Sequence, residues 1–393
     1  MKSLKILMFG WEFPPYNVGG LGNVTYNLCN ALAKFGTKIT LILPIKGESN
    51  KLKIIPTNFV SIKGIKSLLS PYLNEKTYQY KYSLCEEEAK IYGTNLKEEI
   101  DRFTKRGVKI AKHENFDLIH CHDWMTFPAG IQAKEFSGKP LILHVHTTEL
   151  DRSCNNYDLF VYNLELEAFN KADKIIAVSN YTKNRIIKDY NISKDKIEVV
   201  HNAIEFDGNK KNKPYNRKKI VLYLGRISMH KGPDYFIRAA KKISEYMKDV
   251  LFVMAGSGEL LPEMIELACN LDIGDKILFT GRLKDEEVKK IYESADLYVL
   301  PSVSEPFGIS ALEAASNGVP VIVSENSGVK EILKNCIRVD FWDIEEIANK
   351  AISALRYSPL REEITSNAYR ELTNMSWKER ASKIVSIYRS LIN

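Results

Sequence analysis

Short runs of Val, Ile and Leu recur along the chain, each followed by a longer stretch in which apolar residues return at helical spacing. In the first half the runs fall at 4–10, 38–44, 118–121, 141–145, 174–178 and 197–200, with helical periodicity at 21–35, 124–136 and 158–171. Nearly continuous apolar strands alternating with helices are the pattern of a parallel sheet covered on both faces. The alternation stops at 202–219, where GNKKNKPYNRKK is basic, polar and without apolar period, and reads as a solvated linker. It then resumes, with strands expected at 220–224, 250–255, 276–280, 296–300 and 319–323. Helices are expected near 233–247, 259–270, 284–292 and 308–317, and residues 343–393 look helical throughout. The expected organisation is α/β. A doubly wound domain over 1–202 is joined by a linker, 203–219, to a second over 220–375, and a helix at 376–393 returns to the first. Such domains bind ligands beyond the carboxyl ends of their strands.

Composition narrows the class. With 393 residues, 45% hydrophobic and 27% charged, the chain can bury two cores and is too apolar for disorder. No run of about 18 apolar residues is present, so no membrane-spanning helix is expected. The stretch MKSLKILMFGWEFPP is short, is interrupted by Glu12 and lacks a cleavage site, so it reads as a first strand in a cytoplasmic protein. The six cysteines are scattered without a CxxC pair, which argues against a disulfide framework or structural zinc.

The net charge of +7 is unevenly placed. Residues 38–81 carry eight lysines against two glutamates, together with Phe59, Leu68, Leu69, Tyr78 and Tyr80, and Tyr82 follows at once. Two readings stand: contact with an anionic membrane or an acceptor, or an irregular insertion with a soluble basic rim. No nucleic-acid-binding signature accompanies the charge, and the oligomeric state is left open.

Several segments carry candidate chemistry. WEFPPYNVGGLGNVTYNL sets glycines where a strand turns into a helix, so backbone N–H groups there can approach a phosphate. It is not a GxGxxG fingerprint, which weighs against a dehydrogenase. YLGRISMHKG sets Arg226 and Lys231 just past a strand, where two cations can offset a departing diphosphate. In PSVSEPFGISALEAASNGVP, Glu305 ends a loop, Phe307, Gly308 and Ile309 open a helix, and Glu313 lies one face further on. A helix N-terminus flanked by two carboxylates suits a phosphate attached to a hydroxyl-bearing sugar. HCHDWMTF and HVHTTELDRS hold four of the seven histidines. Neither supplies a carboxylate–histidine set, and no DxD triplet occurs anywhere, so no metal is expected.

Together these segments resemble the retaining glycosyltransferases of the GT-B class, in the sugar-nucleotide-dependent family that adjoins the glycogen and starch synthases. The resemblance runs through nearly the whole chain: VGGLGNV, HDW, HVHTTELDR, VSNYTK, VVHNAIE, YLGRISMHKG, FTGRLKDEEV and SEPFGISALEA, in that order. It implies two Rossmann-like domains facing across a cleft and transfer of a hexose, glucose in the first instance, from a UDP- or ADP-linked donor. The acceptor would be a hydroxyl of a glucan or another glycan, and no cofactor beyond the donor substrate is implied.

The resemblance also implies roles. Arg226 and Lys231 would bind the diphosphate, the amides of Phe307, Gly308 and Ile309 its distal phosphate, and Glu313 the ribose hydroxyls. Glu305 would contact the transferred sugar and His146 would lie near it. Asp123 would support the sugar or acceptor side, Gly20 would approach the phosphates, and Arg282 and Leu283 would lie along the base. One departure stands out: Asn17 occupies the position of the lysine that opens the KxGGL motif of bacterial glycogen synthases, which weakens the case for glycogen synthesis itself. A nucleotide-sugar 2-epimerase and a silent nucleotide-sugar-binding protein remain as alternatives. A silent protein would be expected to lack Arg226, Lys231 or Glu305, and this chain has all three.

Overall fold

The computed structural model describes residues 3–14, 20–45, 59–70, 73–204, 218–373 and 375–392. The chain divides into two compact units. The first holds residues 1–149, 157–203 and 377–393, and the second holds 150–156 and 204–376. Most of the expected linker, 205–217, lies outside the described residues, as does Asn17.

The first unit is built on a seven-stranded sheet. Its strands are β1 (Lys5–Phe9), β2 (Lys38–Ile45), β3 (Val60–Lys66), β4 (Leu118–His122), β5 (Leu141–Val145), β6 (Lys174–Ala177) and β7 (Ile197–Val199). The second has six: β8 (Lys219–Leu224), β9 (Val250–Ala255), β10 (Ile277–Gly281), β11 (Leu297–Leu300), β12 (Val321–Ser324) and β13 (Ile337–Val339). Every strand pair is parallel. The orders are β3-β2-β1-β4-β5-β6-β7 and β10-β9-β8-β11-β12-β13. In each unit the order reverses once, between β1 and β4 and between β8 and β11. Those switch points are where crossovers leave on opposite sides and a crevice opens at the carboxyl ends.

The strands are buried as their apolar runs require: β4, β5, β11 and β12 are buried at every position. The final helix, Trp377–Ile392, belongs to the first unit. Its Ala381, Ile384, Val385 and Tyr388 enter the cluster formed by Ile6 and Met8 of β1, Leu41 of β2 and Leu28 and Leu32 of the helix Leu21–Ala33. Lys383 also donates to the Val199 carbonyl at 2.7 Å.

The structure adds order where the sequence offered no pattern. β3 (Val60–Lys66) and the helices Glu75–Ser83 and Leu96–Ala111 lie in the basic stretch and just beyond it. Buried Glu99 ties them together: its carboxylate accepts from Ser67 Oγ at 2.5 Å and the Gly93 amide at 2.8 Å, and it pairs with Arg102. An irregular insertion therefore does not fit the described residues of 38–81. The expected helix at 124–136 also starts later, because Trp124–Thr126 forms a 3-10 turn before Phe127–Ser137.

Candidate active site

The predicted residues of the second unit gather beyond β8 and β11, the two strands that flank its switch point. After β8 the chain runs through Arg226 into the 3-10 turn Met229–Lys231. Gly232 follows with φ +62°, and a Cβ there would meet the Pro301 carbonyl oxygen at 2.0 Å. Only glycine permits this close approach, and it presses the turn carrying Lys231 against the segment just after β11.

After β11 the backbone of Glu305 is clamped, its N–H donating to the Asn326 carbonyl (3.0 Å) and its carbonyl accepting from the Gly328 amide (2.8 Å). The residue is buried, and its side chain accepts from Lys231 Nζ at 2.5 Å. Arg226 instead pairs with Glu259 at 2.9 Å. The two cations thus have different partners: Lys231 is held inside the site and Arg226 toward its rim.

Gly308, at φ +100°, turns the chain into the helix Ile309–Ser316, and Phe307 just before it is buried. The first N–H groups of a helix have no intrahelical partner, which gives this point its affinity for anions. Glu313, one turn in, is half-buried rather than a surface charge, and its Oε2 accepts from Tyr292 Oη at 3.0 Å. Burial pushes its carboxyl up to about 7, with the Tyr292 bond acting against the shift. Arg282 and Leu283 lie in the loop after β10, Arg282 exposed and Leu283 half-buried.

In the first unit, Asp123 and His146 follow β4 and β5. Asp123 Oδ1 accepts from the His146 amide at 2.7 Å and the Thr147 amide at 3.4 Å, and its own N–H donates to the His144 carbonyl at 3.0 Å. It is 1% exposed and sits at φ 55°, ψ 171°, a region that non-glycine residues occupy only when the surroundings force them. Its contacts are those of a residue that fixes the loop after β5. His146 Nε2 lies 3.0 Å from His122 Nδ1. Gly20 precedes the helix Leu21–Ala33 as an exposed residue in ordinary helical conformation, so close approach rather than φ is what glycine offers there. Buried Glu12 accepts from the Gly22 amide at 3.1 Å, a contact that no motif signals.

The set-aside histidines also come together. His120, His122, His144 and His146 stack along β4, β5 and the residue following β5.

Comparison with known proteins decides the family. Residues 18–207 match the model described as Glycosyltransferase Family 4, and residues 206–371 the one described as Glycosyl transferases group 1. An uncharacterized glycosyltransferase of Methanocaldococcus jannaschii is 30% identical, covering 98% of this chain and 98% of its own. The chain belongs to the GT-B glycosyltransferases. This glycosyltransferase is also 24% identical to a glycogen synthase of Mycobacterium tuberculosis, over 84% of this chain and 80% of the relative. Among solved structures it resembles Anabaena HepE in complex with UDP and glucose, with TM-score 0.75 and 18% identity over 99% of this chain and all of that one.

Proposed function

We propose that this glycosyltransferase moves a hexose, glucose in the first instance, from a UDP- or ADP-linked donor to an acceptor hydroxyl, with retention at the anomeric carbon. The observation that carries the reading is the Lys231–Glu305 pair, a half-buried cation and a buried carboxylate beside a helix N-terminus at a switch point. The likeness to a glycogen synthase and to a protein solved with UDP and glucose supports the choice of donor.

In this reading Lys231 and Arg226 take the diphosphate, the amides of Phe307, Gly308 and Ile309 its distal phosphate, and Glu313 the ribose hydroxyls. The bond from the anomeric carbon to the phosphate oxygen lengthens first, and negative charge grows on the diphosphate where Lys231 sits. The acceptor oxygen attacks on the face the phosphate leaves, and its proton passes to the departing phosphate oxygen. Glu305 orients the sugar, and its negative charge favours the cationic ring that forms. His146, whose amide Asp123 holds, keeps the place near the sugar that the family resemblance implies. Arg282 and Leu283 lie along the base, and Gly20 leaves room for the phosphates.

The chain has no DxD triplet, and protein cations with a helix terminus take the place of a metal at the diphosphate. On the acceptor side, Lys66 lines a cavity of about 510 Å³ with Arg106, Lys109 and His113, a basic wall suited to an anionic acceptor or headgroup. No described helix is long and apolar enough to cross a membrane. The basic stretch 38–81 is the part of the chain suited to a peripheral contact with an anionic membrane on its cytoplasmic side. Co-sedimentation with anionic vesicles at low salt tests that contact.

The test of the reaction is a donor screen followed by proton NMR of the first-formed product. An α-linked product from an α-linked sugar nucleotide supports retention. A β-linked product overturns it, and isomerised donor without transfer indicates an epimerase.

A further inference from the structure

We propose that His120, His122 and His144 form a binding site for a divalent transition metal of the kind zinc represents, within the first unit. The strands dictate the cluster. Side chains on a strand alternate faces, so His120 and His122 of β4 share one. The parallel register pairs His122 with His144 of β5 and brings the third ring to the same face. The rings stack: His120–His122 at 4.6 Å, His122–His144 at 5.1 Å and His120–His144 at 5.4 Å between centroids. One ring nitrogen from each lies within 4.8 Å of the others.

The hydrogen bonds leave four ring nitrogens of the cluster empty. His120 Nδ1 meets Tyr388 Oη at 2.5 Å, and His122 Nδ1 meets His146 Nε2 at 3.0 Å. His120 Nε2, His122 Nε2 and both nitrogens of His144 have no partner, although the three residues are at most 2% exposed. A buried polar group without a partner costs about 1–3 kcal/mol. Packing alone gives no reason to concentrate such groups at one point, whereas a metal turns their lone pairs into bonds.

The chemistry agrees. Burial lowers the proton affinity of all three rings, which keeps them in the neutral form that binds metal. Tyr388 and His146 occupy Nδ1 of His120 and His122, as partners of metal-bound histidines do, and leave Nε2 of each ring as the nitrogen available to a metal. Three imidazoles suit zinc, cobalt, nickel or copper and not calcium or magnesium. Metal–nitrogen bonds of about 2.0–2.1 Å place tetrahedral ligands roughly 3.4 Å apart, so binding draws the rings together by small side-chain rotations. The ion would fasten β4 to β5 and, through His122, steady His146.

Equilibrium dialysis of the full chain, stripped with chelator and returned to Zn²⁺ or Co²⁺, tests the site without reference to sugar transfer. One equivalent per chain is expected, with a rise in Tm. His144→Leu removes no hydrogen bond seen in the structure, so its metal-free form should fold, while its affinity should fall about 100-fold. Tyr388→Phe should lose roughly tenfold, since it touches only the outer partner of His120. If His144→Leu does not fold, the Co²⁺ spectrum of the unaltered chain decides, tetrahedral bands supporting the site and a hexaaquo-like spectrum overturning it. Absence of stoichiometric binding, or binding undiminished in His144→Leu, also overturns it.

Discussion

Lys231 Nζ and Glu305 Oε2 lie 2.5 Å apart although 74 residues separate them in the chain. Two strand ends make the pair: the turn after β8 supplies the cation and the loop after β11 the carboxylate. Both side chains are largely buried, at 16% and 7% exposure. Each holds the other in place before any substrate arrives.

Truncating either residue to alanine breaks a largely buried ion pair, which costs about 3–5 kcal/mol when burial is complete and less here. Glu305→Gln keeps the shape and a hydrogen-bond acceptor, so it separates chemistry from stability. Turnover by Glu305→Gln should fall about 100- to 1,000-fold with Tm within a few degrees, measured by nucleotide release and thermal unfolding. Glu305→Ala should lose both.

Glu313 gives donor binding a pH dependence. Its carboxyl is pushed up to about 7 in the folded chain, so it gains a proton as pH falls through neutrality. If it accepts hydrogen bonds from ribose hydroxyls, KM for the donor should rise about tenfold between pH 8 and pH 6, and Glu313→Gln should abolish the dependence. The sign for stability is the reverse of an ion-paired carboxylate. Above the usual value of 4.5 the unfolded chain releases this proton more readily, so this group's contribution to stability declines from about pH 4.5 to 7.

Gly232 and Gly281 both have positive φ, +62° and +66°, but only Gly232 is crowded. Gly281→Ala meets nothing within 4 Å, and its cost should be about 1 kcal/mol of backbone strain. Gly232→Ala drives a methyl group into the Pro301 carbonyl and should displace Lys231, lowering Tm further and turnover with it. Chemical denaturation of the two variants side by side checks the contrast.

Asp123 should act through the backbone. Asp123→Ala leaves the His146 and Thr147 amides without their acceptor, a loss of about 1–3 kcal/mol. Asp123→Asn retains an oxygen and should lose markedly less, both in Tm and in kcat.

The strands beyond which the candidate residues lie were legible because their sides are buried and their sequences continuously apolar, as in LILHV of β5. β3 was not: Val60–Lys66 has one face largely exposed, with Lys63 and Gly64 breaking its pattern at the sheet edge. β13 was missed because three residues carry no period. The motifs located Lys231, Glu305 and Glu313, but not that Lys231 meets Glu305 while Arg226 turns to Glu259. Such choices depend on distant segments meeting. The histidine stack shows the same gap: HxH spacing is visible in sequence, but the register that sets His144 beside His122 is a property of the sheet.

The most direct measurement is release of nucleoside diphosphate from UDP-glucose and ADP-glucose by the purified chain, alone and with glycan acceptors, beside Glu305→Gln. The account predicts turnover with at least one donor, accelerated by an acceptor and slowed about 100-fold or more in the variant. Folded Glu305→Gln releasing nucleotide as fast as the unaltered chain, or no turnover of any sugar nucleotide, would contradict it.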